Sequence, residues 1–110
     1  MKPVMNAIGM VVSDMSATVE FYERLGLSFS DEGEEHRECE LSGGMRLMLD
    51  TVEVVRRLYP EWTKPTGGSR ISLALQMDST MSVDEKYLEL TKAGSQSVHE
   101  PWDAFWGQRY

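Results

Sequence analysis

The sequence writes one short pattern twice. Residues 4–12, VMNAIGMVV, mix alternating and continuous apolar character, as a largely buried strand does. Asp14 then suits a helix N-cap. Ala17, Phe21 and Leu25, with Tyr22 beside them, fall on one helical face. Gly26 follows as a left-handed C-cap, with Leu27 as its apolar companion. At residues 70–77, RISLALQM, the pattern restarts, with Ile71, Leu73, Leu75 and Met77 alternating onto one face. Ser82-Val83-Asp84-Glu85 reads as a capping box, Val83, Tyr87, Leu88 and Leu90 supply an apolar side, and Gly94 closes the helix. From cap to glycine each helix takes twelve steps, Asp14 to Gly26 and Ser82 to Gly94, and the two copies are offset by 65 to 68 residues. Such a chain is expected to fold as a duplicated module.

The first copy continues with two short strands, HRECEL (36–41) and MRLMLD (45–50), joined by Ser42-Gly43-Gly44, a hairpin signal. Residues 51–69 read as a connector, with a helical turn over 52–59 followed by Pro60, Pro65 and Gly67-Gly68. A single domain is therefore expected, divided into a first module (1–50), the connector (51–69) and a second module (70–110). After Gly26 the first module runs another 24 residues to Asp50, whereas only 16 follow Gly94. The internal symmetry thus predicts a second module lacking its final strand. A natural end at Gln108-Arg109-Tyr110 would leave an exposed sheet edge, so a truncated chain is the expectation.

At 110 residues the chain has the size of one domain and buries roughly 65% of its unfolded surface. Its net charge of −7 repels phosphate backbones and anionic lipid, which argues against nucleic acid and membrane surfaces as partners. The single cysteine, Cys39, forms no internal disulfide, and the paired spacings of zinc sites are missing. The apolar run from Ile8 to Val12 is too short to span a bilayer, and no small-residue cleavage site follows it. A cytoplasmic location is the default.

Three segments carry a family resemblance: IGMVVSDMSATVEFYERLGLSF (8–29), PTGGSRISLALQMDS (65–79) and EPWDAFWGQRY (100–110). Together they resemble the vicinal oxygen chelate superfamily of glyoxalases, bleomycin-resistance proteins and extradiol dioxygenases. The resemblance implies an α+β fold of paired βαβββ modules forming a curled mixed sheet, with ligand and metal in its cleft. Members usually continue past the last segment with an Asp-Pro-Asp-Gly turn and a final strand, neither of which is present here. The metal-dependent members place ligands at four strand positions, two per module, usually His and Glu. By the resemblance these fall on Ala7, Met48, Ser72 and a position beyond Tyr110. Alanine has no donor atom, a thioether is soft, and serine is a rare ligand. A register shifted by one residue would bring in Asn6, Ile8 or Leu73, none of which restores a site. No metal cofactor is expected.

Other chemistry-bearing residues have ordinary alternatives. His36, Glu38 and Glu40 share one strand face at a two-residue period and could form a His-Glu-Glu metal site. Side chains two apart on a strand point in parallel, so a solvated face with Cys39 and Leu41 turned inward is favoured. His99 beside Glu100 could be an acid–base pair, but a histidine in a polar loop is more often simply solvated. Cys39 reads as an inert buried thiol, and Ser13-Asp14 as a helix cap. Met10, Met45, Met48 and Met77 read mostly as core filler.

If the mapped positions face the cleft, strand parity brings Gly9, Arg46, Asp50, Arg70, Ala74 and Gln76 with them. Ile8, Met10, Leu47, Leu49, Ile71, Leu73 and Leu75 then turn toward the helices. Trp102, Phe105 and Trp106 read either as a plug or dimer interface or as an aromatic wall over the ligand, and the two readings are compatible. The expected ligand-binding set is Arg46, Met48, Asp50, Ser72, Gln76, Trp102, Phe105 and Trp106, with no catalytic residue assigned. The overall expectation is a cytoplasmic homodimer that binds a planar or apolar small molecule without metal, sequestering it as bleomycin-resistance-like members do. The rival is a divalent-metal-dependent glyoxalase-like lyase or extradiol-type dioxygenase. A structural interaction module and a metal-free enzyme also remain open.

Overall fold

Turn chemistry and strand register place the site. The structure, a computed structural model, describes residues 1–110 except Glu32 and Ser69. It divides into two compact units, Met1–Thr66 and Gly67–Tyr110.

The first unit runs β1 (Ala7–Val12), α1 (Met15–Arg24), β2 (His36–Glu40), β3 (Arg46–Thr51) and α2 (Val52–Leu58). β3 lies between its neighbours, parallel to β1 and antiparallel to β2. A 3₁₀ turn at Ser42–Gly44 joins β2 to β3, with Gly43 at φ 74 and Gly44 at φ 80. Both angles are left-handed, which explains the glycine pair. The parallel β1–β3 pairing needs a crossover, and the intervening α1 and β2 provide it.

α1 begins where expected, with Asp14 Oδ1 accepting from the Ala17 N–H at 3.0 Å. It ends in a Schellman motif: Gly26 N–H donates to the Glu23 carbonyl (2.9 Å) and Leu27 N–H to the Tyr22 carbonyl (3.1 Å), with Gly26 at φ 95. Its buried face is centred on Val19 and Tyr22 rather than on Ala17, which is exposed. Met15, Val19 and Tyr22 keep the i, i+4, i+7 spacing of a buried helical stripe. They meet Val12, Cys39, Leu47 and Leu49 in the core, and Leu47 and Leu49 are 2% and 0% exposed. This apolar side of the sheet is its back.

In the second unit α3 spans Thr80–Lys92. Its N-cap is Ser79, whose Oγ accepts from the Ser82 N–H at 3.1 Å. The expected cap at Ser82 is therefore corrected. Ser79 is an equally good capping residue one turn earlier, and Ser82 sits inside that first turn. The helix closes as α1 does, with Gly94 donating to Thr91 (3.1 Å) and Ser95 to Leu90 (3.0 Å). The expected strand over 70–77 also needs correction, because no ladder includes these residues among the described ones. Ile71 is 80% exposed there. Alternation provides a face, but a strand also needs a hydrogen-bonded neighbour.

Residues 102–110 form a short hairpin. Trp102 and Tyr110 exchange backbone hydrogen bonds at 2.9 and 3.0 Å, and Gly107 turns the chain at φ 94. The fold is thus α+β with a mixed sheet, and that sheet is open and three-stranded rather than curled. Among the described residues no helix is long and apolar enough to cross a membrane.

Candidate functional site

Register sorts the front of the sheet. Across β1 and β3, Ala7 pairs with Arg46, Gly9 with Met48 and Val11 with Asp50. Across β2 and β3, His36 pairs with Asp50, Glu38 with Met48 and Glu40 with Arg46. These nine residues share the face turned away from the core. Ala7 and Gly9 make a low floor along β1, Met48 stands in the middle, and ionisable groups crowd the β2 side.

Those groups are tied to one another. His36 Nδ1 lies 2.6 Å from Asp50 Oδ1, its cross-strand partner, and Nε2 lies 2.7 Å from Glu38 Oε2. Arg46 Nη1 donates to Glu38 Oε1 at 2.7 Å along the diagonal. Both contacts of His36 are hydrogen bonds to carboxylates only when both ring nitrogens carry protons. The arrangement therefore selects the imidazolium. The Glu38 and Asp50 carboxylates raise the His36 pKa above its ordinary value, against an opposing pull from partial burial. In return, the His36 hydrogen bond, helped by Arg46, holds the Glu38 carboxyl below the usual carboxylate range against its own desolvation.

Beside these side chains a groove of about 630 Å³ opens between segment 26–30 and Glu38, Glu40 and Arg46. Leu27 and Phe29 give it apolar wall, and Ser28 and Ser30 give it hydroxyls. Segment 26–30 is held against β2 by a bridge between Phe29 and Cys39 and by Ser30 N–H donating to the Glu38 carbonyl at 2.9 Å.

The structure brings Arg46, Met48 and Asp50 of the expected set onto one face. In the second unit Trp102, Phe105 and Trp106 gather with Tyr110 on the hairpin. Trp102 stacks on Tyr110 at 5.8 Å, and Trp106 meets the Trp102 and Phe105 rings edge-on at 6.0 and 4.8 Å. Phe105 is nevertheless 96% exposed. Ser72 and Gln76 lie on the unladdered segment. Cys39 is buried. His99 Nδ1 meets the Glu100 main-chain carbonyl rather than its carboxylate.

A family model described as the Glyoxalase/Bleomycin resistance protein/Dioxygenase superfamily matches residues 4–110. The chain belongs to this superfamily. Its fold is similar to that of a glyoxalase/bleomycin resistance protein/dioxygenase from Nocardioides, at 25% identity and TM-score 0.72, covering 96% of this chain and 72% of that one. A family enzyme from Burkholderia phytofirmans PsJN aligns at 16% identity and TM-score 0.80, covering 93% and 82% of the two chains. A glyoxalase-related enzyme from Fulvimarina pelagi aligns at 20% identity and TM-score 0.80, covering 99% and 77%. No curated protein matches in sequence.

By the resemblance, metal-dependent members carry hard donors at positions that fall here on Ala7, Met48 and Ser72. Ala7 and Met48 do lie on the front face, but as a methyl group and a thioether. His36 offers no free nitrogen lone pair, since both nitrogens are engaged by carboxylates. Among the described residues no three His, Cys, Asp or Glu side chains are arranged to hold a metal ion. The described front-face residues Ala7 and Met48 thus offer a divalent ion no hard donor at the mapped positions.

Asp50 as the partner of His36 was not foreseen as a site contact. The signal was present, because a hairpin folded symmetrically about Gly43 places His36 opposite Asp50 and Glu40 opposite Arg46.

Proposed function

We propose that this superfamily member is a metal-free binding protein that holds a planar or largely apolar small molecule against the front of the sheet and sequesters it. One observation carries this reading: the front-face groups His36, Glu38, Asp50 and Arg46 already satisfy one another. A carboxylate shared between an imidazolium and a guanidinium is a poor base, and a doubly hydrogen-bonded imidazolium is a poor nucleophile or ligand. Such groups orient a molecule better than they transform it. The low Ala7–Gly9 floor leaves room for a flat body, and the flexible Met48 side chain can adapt to it.

Within this reading the chain comprises a first βαβββ-type module, 1–50, and an incomplete second one, 70–110, with 51–69 as connector. The matching glycine-closed ends of α1 and α3 support that duplication. Arg46, Met48 and Asp50 contact the ligand. Ser72, Gln76, Trp102, Phe105 and Trp106 remain proposed contacts in the second unit, where the exposed ring cluster suits stacking. The protein acts as a cytoplasmic homodimer, without nucleic acid or membrane partners.

Native mass spectrometry of the purified protein, followed by tryptophan-quenching titrations with planar aromatic compounds, tests this. Metal-free protein with saturable quenching is expected. One divalent ion per chain would replace this reading with the metal-dependent lyase or dioxygenase.

A further inference from the structure

The other end of the front face, where β1 and β3 finish side by side, opens onto a second cavity. We propose that this cavity is a binding site for a small aromatic carboxylate, a reading that does not depend on the proposed function. Its volume is about 300 Å³, and Val11, Ser13, Val52, Trp62, Lys64 and Pro65 line it. That is the low end of the usual range of about 300–1,000 Å³ for ligand pockets, so its occupant is a one-ring or small two-ring molecule.

The walls select the body of that molecule. Val11, 40% exposed at the end of β1, leaves an apolar floor uncovered. Trp62 also lines the cavity, and its backbone N–H donates to the Tyr59 carbonyl at 2.9 Å. An indole flanked by Val52 and Pro65 favours a flat, apolar partner.

Charge selects the head group. In this unit Arg24, Arg37, Arg46 and Arg57 each sit within ion-pair distance of a carboxylate. Among the described residues Lys64 and Arg56 form no ion pair, although the chain carries 18 acidic residues against 11 basic ones. Lys64 lines the cavity, and the Arg56 guanidinium lies 5.9 Å from the Trp62 ring centre. An indole-walled cavity whose one charged lining residue is a lysine complements an anion with an aromatic body. The lining Lys64 ammonium and Ser13 hydroxyl supply hydrogen-bond donors for one carboxylate.

The test uses the full chain, labelled with ¹⁵N and titrated with sodium benzoate and, separately, with benzamide as its neutral analogue. Benzoate is expected to shift the amide signals of Val11, Ser13 and Val52 and the Trp62 indole N–H saturably. It should bind about fivefold tighter than benzamide, the upper end of what an exposed ion pair contributes. Lys64→Gln, an exposed substitution whose fold the same spectrum verifies, should weaken benzoate about fivefold and leave benzamide within about twofold. The proposal is overturned by equal affinity for the two compounds, by absence of saturable shifts, or by an unaffected Lys64→Gln variant. Shifts centred on Glu38, Arg46 and Met48 would report on the other groove and equally count against it.

Discussion

At His36 one protonation event joins two strands, because the same ring contacts Asp50 on β3 and Glu38 on β2. The folded pKa of His36 is raised, so its contribution to stability is fully present below its ordinary value of about 6.5 and is lost as pH rises through the folded value. Glu38 is depressed, so its contribution is present above about 4.5 and is lost as pH falls through its folded value. The pair therefore supports the fold most fully between those two pH values. Urea unfolding from pH 5 to 9 should show stability falling as pH rises from about 6.5 through the His36 midpoint and levelling off above it. His36→Gln should flatten that slope, and Glu38→Gln should lower the His36 midpoint followed by its imidazole proton resonance. An unchanged midpoint would dismiss the pairing. On the back of the sheet Leu49 is 0% exposed, so Leu49→Ala should cost about 2–5 kcal/mol in the same assay. Gly9 is a contrasting case: a Cβ there meets only the Met48 methyl at an ordinary 3.9 Å. Gly9→Ala should leave the fold intact and raise stability by about 0.5 kcal/mol through reduced chain entropy. The alternation of apolar and polar residues made both faces legible in the sequence. The ion cluster is not legible along β2, because the Asp50 partner of His36 lies across the hairpin.

Among the elements, the caps read best. Asp14 and both closing glycines were legible because each satisfies backbone groups in its own turn. The α3 start was misplaced because Ser79 and Ser82 are chemically equivalent caps one turn apart. Residues 70–77 failed for a different reason: a ladder depends on a partner that local pattern does not specify. The 102–110 hairpin combines both kinds of information. Gln108 Oε1 accepts from Trp106 Nε1 at 2.7 Å and from the Tyr110 hydroxyl at 3.0 Å, tying the rings together. Arg109 reaches Asp84 on α3 at 2.7 Å and Asp103 across the hairpin at 3.0 Å. Everything hangs on a turn whose Gly107 has φ 94. A Cβ at that angle costs about 1–2 kcal/mol, so Gly107→Ala should loosen the hairpin without touching any ring. Near-ultraviolet circular dichroism from the coupled tryptophans should lose amplitude at lower temperature in that variant. An unshifted profile would mean that the ring contacts alone hold the hairpin.

For the molecule as a whole, burial is unevenly distributed. Among the described residues, Ala104 is the only buried apolar side chain of the second unit, whereas Val12, Val19, Tyr22, Cys39, Leu47 and Leu49 form the first unit's core and Val55 is buried on α2. The second unit leaves Ile71 at 80%, Leu88 at 53%, Phe105 at 96% and Trp106 at 51% exposure. Exposed apolar side chains of that size are the physical ground for the proposed homodimer. Association by mass action makes a definite demand, since protection gained by docking must rise with protein concentration. Protection from the first unit's own core must not. Hydrogen exchange measured across a hundredfold range of concentration separates the two. Amides of β1 and β3 should exchange slowly and equally at every concentration, while residues 71–75 and 102–110 slow as the dimer forms in parallel sedimentation runs. If sedimentation shows a monomer throughout and those segments exchange at one fixed rate, the homodimer is wrong, and the exposed rings serve the small ligand alone.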